Sequence, residues 1–334
     1  MVQEIQEKGL GQVVHIGHRE VWFRCAEPGP ALLGLRCADD VFVIGAVVTG
    51  VGRERASLHR LARAAMDVPL RSLLSVRQRC GATGTVSAVE VSASFLGRRN
   101  YNRYDIEDAV GEPLAAALGV PYHSRRGDAA PLPGGLGWRV TVESGRAVLA
   151  LRLGECPLHR RTYRRLTRPG SLHPPLAAAL VRLARPAVGA TLLDPCCGSG
   201  TVPIEAALSS PAVSVVGCDR DPHAIQVAVI NGEVAPVRWT VADAGELPLR
   251  SAGVDVIVSN PPWGRQVRPQ GTLANGALPL WRELHRVLRP GGRAVLLLPA
   301  AEVAQALAAG LALRDRRPVS IAGTHAEVIT LQRS

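Results

Sequence analysis

The chain has 334 residues, 47% of them apolar, and carries a formal charge of +11. That length sets an expectation of two or three domains, and the apolar content is ample for a core, which excludes a globally disordered chain. The longest apolar stretch, VFVIGAVVTGV, is too short to span a bilayer, and the first twenty residues contain Glu4, Glu7 and Glu20 with no apolar leader; a cytoplasmic protein without a membrane segment is expected.

Residues 1–64 hold strand-like runs at VWFRC and VFVIGAVV, and 57–66 is a helical stretch, which together suggest a small α+β unit. From about 86 to 155, SAVEVSASF, WRVTVES and AVLALRL predict strands and 105–118 a helix, with a loop, SRRGDAAPLPGGLG, expected to be flexible. Next comes CPLHRRTYRRLTR (156–168), with five arginines, one tyrosine and no acid. In SLHPPLAAALVRLAR, Leu172, Leu176, Leu180 and Leu183 share one helical face, so 171–185 is expected to be a lead-in helix packed on a sheet.

The remainder alternates. TLLD (191–194), VSVVGCD (213–219), VRWTVAD (237–243), VDVIVSN (254–260) and RAVLLLP (293–299) read as strands. Helices are expected at 201–208, from the cap Asp221-Pro222 to Asn231-Gly232, at 280–288 before a turn RPGG, and at 301–310. Two more strand candidates lie near 317–322 and 327–332. Strands apolar on both faces and separated by helices imply a mostly parallel sheet covered on both sides.

Charge is uneven along the chain. Residues 1–170 carry 24 basic and 16 acidic side chains, against 15 and 12 in 171–334, so a polyanion partner is expected for the first half. All basic residues but Lys8 are arginine, which a GC-rich genome alone could produce. The seven cysteines lack paired ligand spacing; no metal site is expected, and buried free thiols in a reducing compartment are the favoured reading.

In an open parallel sheet, ligands bind beyond the carboxyl ends of the strands. Asp194, Asp219, Asp243 and Asn260 all fall at such ends. After Asp194, PCCGSGT places Gly198 and Gly200 where backbone can turn tightly before a helix N-terminus, either as a ligand loop or as a plain turn. Asp219 could accept from ribose hydroxyls or cap a helix, although Asp221 fills the cap better. Asp243 could read an adenine amine or simply close a turn.

The run SNPPWG (259–264) is the most pointed signal. The Asn260 side-chain oxygen and the Pro261 carbonyl can accept both hydrogens of a planar amine, turning its lone pair toward an electrophile without a strong base. Pro261 and Pro262 fix φ and remove competing donors. Trp263 offers a face for an extruded base, worth roughly 1–3 kcal/mol. The alternative is a rigid proline turn with a buried tryptophan.

DPCCGSGT, GCDRD, VADAGELP, NPPWG and LRPGG together resemble the class I S-adenosylmethionine-dependent methyltransferases with the N-methylating (D/N)PP(Y/W/F) motif. SFLGRRNYNRYDI and PLHRRTYRRLTRPGSLHPPLAAAL resemble a THUMP domain joined to such an enzyme, a pairing found in RNA guanine-N2 methyltransferases. The resemblance implies a Rossmann-like α/β domain with a mostly parallel seven-stranded sheet over 169–334. It implies a THUMP domain over 65–168 and a ferredoxin-like unit over 1–64. S-adenosylmethionine would meet Asp194, Pro195, Gly198, Gly200, Thr201, Asp219, Arg220, Asp243, Ala244 and Asn260. Catalysis would rest on Asn260, Pro261, Pro262 and Trp263. Arg98, Arg99, Arg160, Arg161, Tyr163 and Arg164 would contact the single-stranded 3′ end of tRNA, with the enzyme acting as a monomer on the acceptor stem. The pair Cys196-Cys197 departs from the family pattern and reads as small packing side chains. Competing readings keep the chemistry with rRNA guanine, another nucleic-acid amine or a protein amide as target, or make the chain a non-catalytic RNA binder.

Overall fold

A computed structural model describes residues 1–127, 134–264, 267–299, 302–321 and 324–334. The chain divides into two compact units, Met1–Leu158 and His159–Ser334. The division falls at 158/159 instead of the expected 168/169, because the arginine-rich segment after Leu158 bonds to helices of the second unit.

The first unit runs α1 (Val2–Glu7), β1 (Gln12–Ile16), β2 (Val21–Arg24), β3 (Phe42–Thr49), α2 (Ser57–Met66), α3 (Leu70–Arg79), β4 (Ala88–Phe95), α4 (Arg103–Leu118), β5 (Tyr122–His123), β6 (Gly135–Glu143) and β7 (Arg146–Arg152). Strands β3-β7-β6-β4-β5 form one sheet, and β1-β2 a separate hairpin. The boundary expected at residue 64 is crossed by this sheet: β3 pairs with β7 from Phe42↔Arg152 to Thr49↔Arg146. Helix α3 has no counterpart among the expected elements. Its arginines mask the apolar stripe, and one of them, Arg77, is itself buried, with burial pulling its pKa down. Helix α4 starts on a capping box, Asn102 and Asp105 bonding each other's backbone, and ends on left-handed Gly119. Part of the SRRGDAAPLPGGLG loop lies outside the described residues.

The second unit runs α5 (Pro174–Ala184), β8 (Thr191–Asp194), α6 (Thr201–Ser209), β9 (Ser214–Asp219), α7 (Pro222–Asn231), β10 (Val237–Val241), β11 (Val254–Ser259), α8 (Leu278–Val287), β12 (Leu288–Leu298), α9 (Val303–Ala308), β13 (Leu311–Ile321) and β14 (Thr324–Arg333). Its seven strands lie in the order β10-β9-β8-β11-β12-β14-β13, with β14 antiparallel to both neighbours. Alternation along each strand feeds two cores. Leu193, Ile257, Ala294 and Leu296 pack with Trp281 and Leu284 of α8 on one face, while Leu192, Val256, Val258, Val295 and Leu297 pack with Leu180 and Val181 of α5 on the other.

RPGG (289–292) is not the turn before a strand that its composition suggests. It bulges within β12, which pairs Val254↔Leu288 on one side and Val256↔Arg293 on the other, and Arg289 forms an ion pair with Asp255 at 2.5 Å. The last two strands are longer than expected and make one antiparallel hairpin, with β13 at the sheet edge. No helix among the described residues is long and apolar enough to cross a membrane. All seven cysteines are free; Cys80, Cys197 and Cys218 are buried as expected, whereas Cys25, Cys37 and Cys196 are half-buried and Cys156 is exposed.

Candidate active site

Strand order reverses at β8, which has β9 on one side and β11 on the other, so the crevice opens beyond Asp194. Asp194 is 2% exposed. It accepts from the Ser259 hydroxyl at 2.6 Å and the Cys196 amide at 3.1 Å, which ties β8 to the strand carrying Asn260. Burial, and then the nearby Asp219 charge, push its carboxyl up to about 7 against those hydrogen bonds. The loop behind it turns through Gly198 at φ 53° and Gly200 at φ 84°, the latter capping α6. A side chain on Gly200 would strike the Trp239 ring at 2.8 Å, whereas one on Gly198 would meet nothing within 4 Å: the loop is packed below and open above. Pro195 and Thr201 are buried on either side. Burial also drives the Cys196 and Cys197 thiols well above their ordinary range, so neither is a ready nucleophile.

Asp219 ends β9 and accepts from the Gly198 amide at 2.8 Å, joining the second strand to the glycine loop. The helix-cap role falls to Asp221, which accepts from His223 N–H. Asp243 sits two residues beyond β10 and is tied down by the chain itself. It accepts from the Gly245 amide at 3.0 Å, from the Thr272 amide at 3.1 Å and from the Thr272 hydroxyl, with Arg220 Nε 3.3 Å away. Burial works against the charge, but these partners hold the carboxyl below its usual range. Asp243 therefore does serve as a turn aspartate, anchoring the short 3-10 turn Gly271–Leu273 that follows the NPPW segment. Thr272 escaped the sequence reading; the signal was Gly271, whose φ of +60° and contact with Asp243 and Arg220 leave no room for a side chain. Ala244 is buried beside it.

Asn260 follows β11 directly and is half-buried, and its amide takes no hydrogen-bonding partner among the described residues. Pro261 is buried; Pro262 and Trp263 are half-buried. The Trp263 indole packs against the α5-side core, with Nε1 shielded from solvent, so only part of the ring is left for a ligand. Gly264, at φ 82°, turns the chain and donates to the Val267 carbonyl at 3.0 Å.

The family description "UPF0020: RMKL-like, methyltransferase domain" matches residues 161–326. A tRNA (guanine(6)-N2)-methyltransferase of Thermus thermophilus is 33% identical over 310 residues, covering 91% of this chain and 87% of that protein. The chain belongs to this methyltransferase family. The crystal structure of TrmN from Thermus thermophilus superposes with a TM-score of 0.77 at 30% identity, covering 99% of this chain and 95% of that one. The methyltransferase is also 30% identical over 218 residues to the mouse tRNA (guanine(6)-N(2))-methyltransferase THUMP3, spanning 58% of this chain and 42% of that protein.

Of the six side chains expected on RNA, three are turned onto the methyltransferase itself. In the second unit, Arg161 Nε and the Tyr163 hydroxyl each donate to the fully buried Glu205 at 2.9 Å. In the first unit, Arg99 donates to the Val51 and Gly52 carbonyls at 3.2 and 2.7 Å and lies over Phe95 and Tyr101. Arg98 is exposed and lines a cavity of about 290 Å³ with Arg53 and Gly145. Arg160 is exposed and Arg164 half-buried.

Proposed function

We propose that this enzyme transfers a methyl group from S-adenosylmethionine to the exocyclic N2 amine of guanosine in the tRNA acceptor stem, at position 6 as in its Thermus relative. The observation that carries the reading is Asn260 at the carboxyl end of β11, its amide uncommitted among the described residues, one strand from Asp194 and the glycine loop. The residues fit the cofactor: a loop open above Gly198, and acids at the ends of three adjacent strands. Asp219 and its neighbour Arg220 would hold the ribose end, and Asp243-Ala244 the adenine end, with Pro195 and Thr201 buttressing the loop. Once bound, the cofactor supplies a methyl group activated on a sulfonium.

The chain's own residues do the rest. The Asn260 Oδ1 and the Pro261 carbonyl accept the two amine hydrogens, which turns the nitrogen lone pair outward and keeps the amine protons on fixed acceptors until the nitrogen becomes acidic. Pro261 and Pro262 hold that carbonyl in place, and the uncovered part of Trp263 flanks the base. We assign the first unit a THUMP-type role in gripping the tRNA 3′ end, with Arg98 as a contact, and name Arg160 and Arg164 of the second unit as further RNA contacts, in a cytoplasmic monomer.

Asn260→Ala tests this directly. Methyl transfer to tRNA falls at least 100-fold while S-adenosylmethionine binding by calorimetry stays within about three-fold, the size expected for losing an aimed polar contact. Turnover retained by Asn260→Ala overturns the catalytic assignment. Normal N2-methylguanosine in tRNA from a strain lacking the gene overturns the choice of tRNA.

A further inference from the structure

The segment from His159 to Ser171 has no helix or strand, yet it is fastened to the second unit at three depths. Glu205 of α6 holds Arg161 and Tyr163. Asn231, the last residue of α7 and 1% exposed, receives the Arg165 and Leu166 amides on Oδ1, both at 3.0 Å. Its Nδ2 donates to the Leu166 carbonyl and to the Ser199 carbonyl, again both at 3.0 Å. One buried amide thus has every donor and acceptor site used, two of them on the segment's amides, one on its carbonyl and one on the glycine loop. Ser199 is bound a second time, by the Ser171 hydroxyl at 2.8 Å. Ser199 lies between Gly198 and Gly200, the two left-handed glycines of that loop.

Two glycines leave the backbone loose unless something else fixes it. The peptide between them is fixed from outside, by groups that lie off the loop. A buried polar network with all its members paired is rigid and sets a single geometry. We propose that Asn231 and Ser171 are positioning residues for the cofactor: they hold the Gly198–Gly200 peptides in the binding orientation, and the arginine-rich segment is the frame they are braced on. This rests on the reading that the glycine loop takes S-adenosylmethionine.

The role differs from mere stability in what it moves. Ser171→Ala removes one hydroxyl and leaves the fold's apolar contacts alone, so it is the variant expected to remain folded; Asn231→Ala is the stronger one. S-adenosylmethionine Kd, by calorimetry on the full chain, rises roughly 5-fold in Ser171→Ala, which loses the bond to Ser199 and the one accepted from the Arg168 amide, and roughly 20-fold or more in Asn231→Ala, which loses four. KM for the cofactor rises in parallel while kcat at saturating cofactor stays within about two-fold, and Ser171→Thr, which keeps the hydroxyl, restores both. A folded Ser171→Ala with wild-type Kd and KM, or a kcat loss without a Kd change, overturns the proposal. Failure of the wild-type enzyme itself to bind S-adenosylmethionine overturns instead the cofactor reading on which it rests.

Discussion

Two arginine pairs, Arg98-Arg99 in the first unit and Arg160-Arg161 in the second, look alike in sequence and divide in the same way. In each, the first member is exposed, while the second bonds inward, Arg99 to backbone carbonyls and Arg161 to a buried carboxylate. A run of positive charge is therefore not one functional surface. Half of it is mortar, and only the outward half is available to a polyanion.

The sharpest way to break this division is at Arg161. Arg161→Ala leaves Glu205 with one partner fewer at zero exposure, and a loss of about 3–5 kcal/mol in denaturant unfolding is expected. A loss below 1 kcal/mol would put Arg161 back among the surface arginines. Asp194 sharpens the same point from the acid side: it is nearly as buried as Glu205 but has hydroxyl and amide partners in place of a cation. Its folded pKa, about 7, lies above the unfolded value near 3.8, so the stability it contributes is complete below pH 4 and is lost as pH rises through 7. The loss amounts to at most about 4 kcal/mol by pH 8. Asp194→Asn should flatten the pH dependence of unfolding between 4 and 8, and an unchanged profile would refute the shift.

Arg99→Ala comes next, with about 1–3 kcal/mol for two carbonyls left without their charged donor. Smallest in stability are Arg98→Ala and Arg160→Ala, each within about 0.5 kcal/mol of wild type. They should instead weaken tRNA binding, each lowering the slope of log affinity against log salt by about 1. Unchanged salt slopes would leave the outward arginines as solvated faces.

Legibility followed the range of the interaction. Strands β8, β9 and β11 were readable to within a residue because buried parallel strands are continuous apolar runs bounded by Asp or Asn. Helix α3 was missed because Arg71, Arg77 and Arg79 interrupt its stripe and Arg77 is buried like a hydrophobe. RPGG misled because proline and glycines suit a bulge as well as a turn. Asp194 and Asp219 end their strands as read, and Asp243 lies two residues beyond β10, but the long-range bonds were out of reach: Asp243 meets Thr272, 29 residues on, and Arg161 meets Glu205, 44 on. Nothing local in either segment announces such a partner.

The hairpin of β13 and β14 has a consequence for how copies of this molecule meet. Its outer border offers a ladder of eleven residues with one side unpaired among the described residues, the kind of template on which strangers' strands zip together. Here that border reads Arg314, Asp315, Arg316, Arg317, Pro318. An approaching copy meets charged side chains, Arg316 and Arg317 paired with Glu327 and Asp315, and, at the proline, an absent N–H, so concentrated solutions should resist fibre-like stacking along this rim.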